Sequence, residues 1–268
     1  MDDLVFMKLG GSAITDKTRG ATARQDVIHD IARQVREALR RKPGLNILLG
    51  HGSGSFGHFT AKKSGYGEAG NWLAYAETGA SAARLNRLVA DIFLAEKVPV
   101  VTIQPSASAR CRDGQLVELA VGPVRTVLEH GLLPLVYGDV AFDDTREMTI
   151  VSTEMIFSLL APTLKPRRIL LAGIVDGAFT ADPLQDPSAR LIREITPANA
   201  AQVESQLRGS HGYDVTGGMI NKVKTMLELV RREPDISVRL LSATQEGLVA
   251  RALLNEEIDA GTLIHAGR

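Results

Sequence analysis

Short apolar runs and amphipathic stretches alternate along almost the whole chain. Between the runs, apolar residues recur at helical spacing, as at Val27, Ile31, Val35 and Leu39. The runs are rich in Val, Ile and Leu and lie at Leu4–Leu9, Leu45–Leu49, Val98–Ile103, Leu132–Tyr137, Ile169–Ala172 and Val238–Leu241. Short apolar runs are typical of buried strands, and apolar spacing of three or four is typical of helices. The pattern predicts an α/β fold with a largely parallel sheet, helices on both faces and ligands beyond the carboxyl ends of the strands.

One segment departs from this alternation. Between Asp139 and Ile150, the turn residues Asp143–Thr145 separate two short extended pieces, which predicts a β-hairpin. A further helix is predicted from Ser152. Because there is no internal repeat or long linker, we predict one domain over residues 1–268, with a first half of about 1–164 and a second of about 165–268.

Composition narrows the classes of protein. A hydrophobic content of 44% over 268 residues is ample for a buried core. Acidic and basic residues number 31 each, so no overall field attracts nucleic acid or an anionic membrane. Acids precede the first apolar run, unlike in a signal peptide, and no run is long enough to span a bilayer. We therefore expect a cytoplasmic protein without nucleic-acid or membrane partners. Cys111 is the single cysteine, which excludes an internal disulfide and favours a buried, idle thiol.

Two glycine-rich turns directly follow predicted strands. They are KLGGS at Lys8–Ser12 and GHGSGSFGH at Gly50–His58. A strand that ends in glycines exposes backbone N–H groups, which can cradle phosphate oxygens where a helix begins next. Two such turns predict two phosphates, a donor and an acceptor, with candidate cations at Lys8, Lys17 and Lys222.

Two residues of these turns carry further chemistry. Lys8 lies in an otherwise apolar strand, so its ammonium should reach an anion or pair with a carboxylate such as Glu154, and both can hold at once. His58 follows Gly57 at the start of a predicted helix, where its imidazole can donate a hydrogen bond to a phosphate oxygen. A structural histidine is the alternative for His58.

Two other phosphate-binding motifs compete with this interpretation. Gly52–Gly57 matches the dinucleotide fingerprint G-x-G-x-x-G, but the acid expected about 20 residues later, at a strand end, is here Glu77 in a helix-like segment. A Rossmann oxidoreductase therefore remains a weaker alternative. Gly11 and Lys17 have the spacing of a Walker A loop, but Asp16 replaces its second glycine and Lys17 lies in a polar loop, so we reject that motif.

Five motifs in order resemble the amino acid kinase superfamily over nearly the entire chain. Besides the two glycine turns, they are YGD at Tyr137–Asp139, VDG at Val175–Gly177 and DVTGGMINK at Asp214–Lys222. Within the superfamily the chain is most similar to the isopentenyl phosphate kinases. The histidine that closes S-F-G-H, His58, resembles the one with which those kinases bind the acceptor phosphate. Fosfomycin kinases share a similar histidine and remain an alternative.

The resemblance implies a three-layer αβα sandwich, a homodimer, ATP and Mg²⁺ as cofactors, and a small-molecule phosphate substrate. Because no tight carboxylate cluster is apparent in the sequence, we expect Mg²⁺ to be held mainly by the phosphates of ATP and water, without a metal ligand from the protein. Implied ATP contacts are Lys8, Gly10, Gly11, Ser12, Gly54, Asp176, Gly217 and Lys222. Implied acceptor contacts are Ser53, Gly57, His58 and Thr153. Implied catalytic residues are Lys8, Lys17, His58 and Lys222. Among these, Lys17 would stabilise transition-state charge, and Glu154 would organise the lysines.

The chain also departs from the family pattern. It reads STEM at Ser152–Met155 where related kinases usually have Ser-Gly-Asp-Asp, Ile174 where an acid is frequent, and Ser53 where glycine is frequent. The first departure leaves a non-catalytic ligand-binding protein as an alternative, against which the retained lysines and histidine argue.

Chemistry and substrate size give two further expectations. A phosphate monoester has a second pKa of about 6, so the acceptor oxygen is mostly ionised at neutral pH and a general base is hardly required. The acceptor's organic tail is expected beside the helix after His58. There, Trp72, Leu73, Tyr75 and Gly79–Ala83 form either an apolar slot for a five-carbon alkenyl group or part of the core.

Overall fold

The computed structural model describes residues 3–183, 185–209 and 218–267, with the backbone alone for residues 208–209. The strands are β1 Leu4–Leu9, β2 Asn46–His51, β3 Val100–Thr102, β4 Arg110–Arg112, β5 Gln115–Glu118, β6 Leu133–Tyr137, β7 Asp139–Asp143, β8 Glu147–Val151, β9 Arg168–Gly173, β10 Glu194–Ile195, β11 Ser237–Ser242 and β12 Thr262–Ile264. The helices are α1 Gly11–Ile14, α2 Gln25–Arg41, α3 Gly54–Ser64, α4 Trp72–Ala95, α5 Val121–Glu129, α6 Thr153–Leu164, α7 Ala200–Gly209, α8 Gly218–Arg232 and α9 Leu248–Leu254.

The main sheet has eight strands in the order β10-β12-β11-β9-β1-β2-β6-β3. All neighbouring pairs are parallel except β11 with β12. Each of the six predicted apolar runs overlaps one of its strands, so the predicted α/β class and largely parallel sheet are confirmed. The direct pairing of β1 with β9 joins the two predicted halves in one sheet.

Alternating residues of β1 show why this sheet carries helices on both faces. All six residues of the strand are buried. Leu4 and Phe6 pack into one apolar core with residues of α6 and α8. Val5, Met7 and Leu9 pack into the other core, with residues of α2, α4 and α9. A strand that is buried on both sides reads as a continuous apolar run, and the result is a three-layer αβα sandwich.

A second, smaller sheet has the strand order β5-β4-β7-β8. Strands β7 and β8 pair antiparallel from Asp139–Val151 to Asp143–Glu147, which confirms the predicted hairpin. The helix predicted after it begins at Thr153, where the Ser152 hydroxyl caps the helix by accepting from the Met155 N–H at 3.2 Å. Strands β4 and β5 were not predicted from the sequence, because they are short and mostly exposed.

No helix in the described part of the chain is long and apolar enough to cross a membrane.

Candidate active site

Both glycine-rich turns lie at the carboxyl edge of the main sheet, at the ends of two adjacent strands. Lys8 pairs with Gly50 and Leu9 with His51 in the register of β1 and β2. The turns are tied to the sheet by backbone hydrogen bonds, from Gly52 N to Leu9 O at 3.0 Å and from Gly10 N to Ala172 O at 2.7 Å. The parallel register therefore brings the two turns side by side.

The two turns touch each other through glycine. A β-carbon at Gly11 would lie 2.6 Å from Gly54 N, and one at Gly52 would lie 2.9 Å from Gly11 N. Gly54 also has a φ of +52°, a conformation that side chains rarely adopt. Only glycine fits at these positions, so the turns form one continuous backbone surface.

This surface presents several N–H groups without protein partners. Gly11 and Ser12 open α1, Ser53 caps α3, and Gly54 begins it. In the described part of the chain, the backbone N–H groups of these four residues donate to no protein acceptor. Unpaired N–H groups gathered at two helix starts suit the oxygen atoms of phosphate groups.

A buried ion pair lies beside the glycine surface. The ammonium of Lys8 donates to Oε2 of Glu154, the second residue of α6. Lys8 is 9% exposed and Glu154 is 5% exposed. The structure thus brings together the lysine and the carboxylate that the sequence singled out, and Gly52 passes close to the lysine, since a β-carbon there would lie 3.8 Å from Lys8 Cε.

The electrostatics of Glu154 extend to a second lysine. Burial raises the pKa of Glu154, but the charges of Lys8 and Lys222 and the hydrogen bond from Lys8 outweigh burial and hold that pKa below its ordinary value. The carboxylate is therefore ionised at neutral pH and can hold both ammonium groups near the cleft.

A cleft of about 730 Å³ opens beside these residues. Its polar lining includes Ser12, Lys17 and Lys222, and its volume falls in the range of small-molecule sites. Most of its apolar lining comes from the second half: Leu171, Ile174, Val175, Phe179, Leu207, Met219, Ile220, Leu240 and Leu241. The cleft thus places cationic side chains from both halves beside an apolar wall, an arrangement that suits a ligand with a charged end and an apolar end.

Three candidate residues of this cleft need comment. Asp176 is exposed and is not part of the lining, although its neighbours Val175 and Gly177 are. Gly217 lies outside the described residues. Ile174 lines the cleft, so the position that is frequently acidic in related kinases contributes apolar surface here.

Three of the four predicted acceptor residues lie at the start of α3, and the fourth, Thr153, begins α6. The Ser53 side chain covers Gly57, where it would collide with a β-carbon. His58 is partly buried on the same helix. Thr153 is fully buried, and its hydroxyl donates to the His51 carbonyl at 2.7 Å. The Thr153 hydroxyl is thus already used within the protein.

The residues considered for the acceptor's tail divide into core and surface. Ser81 and Ala82 are buried between α3 and α4, and Ser81 Oγ donates to Phe56 O at 3.0 Å. Trp72 and Leu73 are largely exposed. Tyr75 stacks on Phe142 of β7 with ring centroids 4.9 Å apart. Ser81 and Ala82 therefore belong to the core. Of the residues considered for the tail, Trp72, Leu73 and Tyr75 remain as apolar surface, and Tyr75 connects α4 to β7 through its contact with Phe142.

Sequence reasoning missed two polar features of this region. Arg24, at the N-cap of α2, lines the cleft and adds another cation. His51, the second residue of the second glycine turn, is fully buried. Nothing in the sequence distinguished Arg24 from other surface arginines, whereas His51 could have been noticed as a polar residue at the end of an apolar strand. Cys111 is buried, and burial raises the pKa of its thiol to about 11, so it is not a thiolate at neutral pH.

Comparison with known proteins identifies the family to which the chain belongs. A sequence model of the amino acid kinase family matches residues 3–242. The chain belongs to the amino acid kinase family. Among similar family members, the isopentenyl phosphate kinase of Methanothermobacter thermautotrophicus is 34% identical, with 95% of this chain and 97% of that protein covered. That of Methanocaldococcus jannaschii is 30% identical, with coverages of 82% and 85%. A crystal structure of isopentenyl phosphate kinase matches with a TM-score of 0.82 and 31% identity over 97% of this chain and 99% of that one. The family therefore accounts for the fold.

Proposed function

We propose that this protein is an isopentenyl phosphate kinase, which transfers the γ-phosphoryl group of ATP to a phosphate oxygen of isopentenyl phosphate. The observation that carries the proposal is the contact between the two glycine turns, whose unpaired N–H groups lie beside the Lys8–Glu154 pair. Two phosphate cradles in direct contact suit a reaction between two phosphates. The relatives named isopentenyl phosphate kinase, similar over most of the chain, support this choice of acceptor.

In this proposal the two sides of the site hold different substrates. The cleft beside Lys17 and Lys222 receives ATP, with Gly10, Gly11, Ser12 and Gly54 around its phosphates. The acceptor phosphate lies against the start of α3, with Ser53, Gly57 and His58. Because the turns touch, the γ-phosphoryl group and the acceptor oxygen meet where the turns meet.

The protein's main task is to overcome repulsion between two polyanions. The acceptor oxygen is mostly ionised at neutral pH, so no residue needs to remove a proton. Lys8 and Lys222 offset the negative charge of the phosphoryl group, and Lys17 stabilises the charge that spreads over its oxygens in the transition state. Glu154 keeps the lysines in place without touching the phosphates. Glu154 has one methylene more than the aspartate that is usual in the family. With this longer side chain it still forms the ion pair with Lys8.

Mg²⁺ would accompany ATP and shield phosphate charge. The described residues contain no group of three His, Cys, Asp or Glu side chains arranged to hold a metal, and the buried Glu154 is already paired with Lys8. The donor set of the protein thus does not fit a dedicated magnesium site. The ion would be held by the nucleotide's phosphates and water.

A cytoplasmic homodimer belongs to the same proposal, as does a functional division between an acceptor-binding first half and a nucleotide-binding second half. Light scattering after size exclusion tests the dimer directly: the proposal expects about twice the mass of the 28.8 kDa chain.

The proposed function is tested by measuring ADP release with Mg-ATP and three acceptors in otherwise identical reactions. We expect turnover with isopentenyl phosphate and none with glutamate, which offers a carboxylate instead of a phosphate. Turnover with fosfomycin alone would replace the proposed acceptor by a phosphonate and keep the mechanism. No ADP release with any of the three acceptors would overturn the proposal in favour of a ligand-binding protein.

A further inference from the structure

His51 is a fully buried polar residue that the proposed mechanism does not use. It ends β2, directly before Gly52, and its ring stacks on Tyr137 of the neighbouring strand at 5.6 Å and 9°. Its carbonyl accepts from the Thr153 hydroxyl at 2.7 Å and from Gly138 N at 2.9 Å. The backbone and the ring of His51 are therefore both fixed.

Two hydrogen bonds set the protonation of the ring. The Asn86 side-chain amide of α4 lies 3.0 Å from His51 Nε2, and His51 Nδ1 lies 3.0 Å from the Gly52 carbonyl. A carbonyl oxygen can only accept, so Nδ1 carries the hydrogen and donates it to Gly52. Nε2 then accepts from the Asn86 amide. Burial lowers the pKa of His51 to about 4, with the nearby Lys8 charge acting in the same direction, so the ring is neutral at physiological pH.

The bond to the Gly52 carbonyl fixes the peptide group that follows. In a trans peptide the C=O and the next N–H point in opposite directions, and the described chain contains no cis peptide bond. Holding the Gly52 oxygen toward the His51 ring therefore turns the Ser53 N–H away from the ring. That N–H has no protein acceptor in the described part of the chain, and neighbouring Gly138 offers no side chain to cover it.

We infer that His51 is a positioning residue that aims the Ser53 N–H at the acceptor phosphate by holding the Gly52 carbonyl in its Nδ1–H tautomer. Asn86 favours that tautomer because its side-chain amide donates to the other ring nitrogen, Nε2. Glycine residues allow the turn many backbone conformations. The hydrogen bonds from Asn86 to His51 and from His51 to Gly52 restrict the peptide group between Gly52 and Ser53 to one orientation. The catalytic role of the site in this inference rests on the proposed function, whereas the tautomer does not.

The first test is spectroscopic and independent of activity. In ¹⁵N-labelled protein, two-bond ring correlations identify which nitrogen of His51 carries the hydrogen. We expect the Nδ1–H tautomer in the unmodified protein. An Nε2–H tautomer would overturn the inference whether or not the protein proves to be a kinase.

The second test compares variants that keep or remove the donor. In His51→Asn, the side-chain amide nitrogen can take the place of Nδ1 and restore the bond to Gly52, whereas His51→Leu cannot. Since the bond serves a group that binds a charged ligand, we expect His51→Leu to raise the acceptor KM roughly 10- to 100-fold and to leave the ATP KM nearly unchanged. We expect His51→Asn to recover most of this loss.

Two further variants separate positioning from stability. Asn86→Leu removes the donor to Nε2 without touching His51, and we expect it to shift the ring toward Nε2–H and to raise the acceptor KM. Val89→Ala, one turn along α4, deletes buried apolar atoms outside the network and serves as the control for destabilisation. Equal acceptor KM values in His51→Asn and His51→Leu, or the same KM rise in Val89→Ala, would show that His51 acts only in the core.

Discussion

At the scale of single residues, the Lys8–Glu154 pair affects both the stability of the protein and its proposed function. Both side chains are buried, and burial removes hydration from both charges. Each ion therefore depends on compensation by the other, and deleting Lys8 leaves Glu154 with only the more distant charge of Lys222. A buried ion pair makes the protein less stable than an apolar pair of similar size would. Its presence beside the glycine turns is understandable if the Lys8 ammonium binds a ligand.

Lys8→Met should separate these roles. We expect turnover to fall roughly 100-fold or more, since a preorganised charge is lost, and stability to fall by about 3 kcal/mol, because the buried Glu154 loses its hydrogen-bonded partner. In Lys8→Met/Glu154→Leu, most of the stability should return in urea unfolding while turnover stays low. Near-normal turnover in Lys8→Met would contradict the role of the lysine.

His58 is expected to act on the acceptor alone. His58→Ala should raise the KM for isopentenyl phosphate at least tenfold, since a hydrogen bond to a charged ligand is lost, and should leave the KM for ATP within about twofold. Steady-state kinetics with each substrate varied in turn measures both constants. His130→Ala, which changes an exposed histidine at the end of α5, is the matched control. An unchanged acceptor KM in His58→Ala would remove His58 from the site.

His51 predicts a pH dependence of folding. Its pKa is about 4 in the folded protein against an ordinary value of 6.5. Between these values the unfolded chain binds a proton that the folded chain does not, so stability falls as the pH falls. Urea unfolding should show that His51 contributes a loss of about 2 kcal/mol between pH 7 and pH 5, a component absent from His51→Asn. The same pH dependence in both proteins would contradict a neutral, buried ring.

At the scale of elements, the contact between the two glycine turns is the feature that makes one site from two strand ends. Gly11 and Gly54 approach so closely that no side chain fits between them. The parallel register of β1 and β2 sets this approach, and the helices α1 and α3 begin from it. A change in either turn should therefore affect both phosphates.

Gly11→Ala should push the turns apart. The new methyl group would meet Gly54 backbone at 2.6 Å, so we expect ATP and acceptor binding to weaken together and turnover to drop at least tenfold. Gly44→Ala is the control, because a β-carbon there meets nothing within 4 Å. Isothermal titration with each substrate measures the effect. Normal affinity for both substrates in Gly11→Ala would contradict a shared cradle.

The elements differ in how far the sequence predicts them. Strongly periodic segments such as β1 and α2 follow directly from their apolar patterns, because they bury whole faces. The glycine turns and Lys8 could be assigned to the site because they follow strands. The contact between the turns, the Asn86 bond to His51 and the place of Arg24 in the cleft depend on strand order and helix packing, which a single sequence does not encode locally. Thr153 illustrates the limit: its position was predicted near the site, but its hydroxyl serves the His51 carbonyl.

At the scale of the whole molecule, one sheet carries both sides of the site. The first half contributes β1 and β2 with the glycine turns, and the second contributes β9 and β11, which lie beneath the apolar wall of the cleft. Because β9 pairs directly with β1, the two substrates are held on one continuous support. In the proposed function, the alignment of donor and acceptor follows from this sheet order.

The central claim is that one phosphate accepts the phosphoryl group from another. The most direct measurement is ³¹P NMR of the protein with Mg-ATP and isopentenyl phosphate. We expect the monoester signal to disappear while the two coupled signals of a diphosphate monoester and those of ADP appear in equal amounts. Release of ADP with inorganic phosphate and an unchanged monoester signal would contradict it.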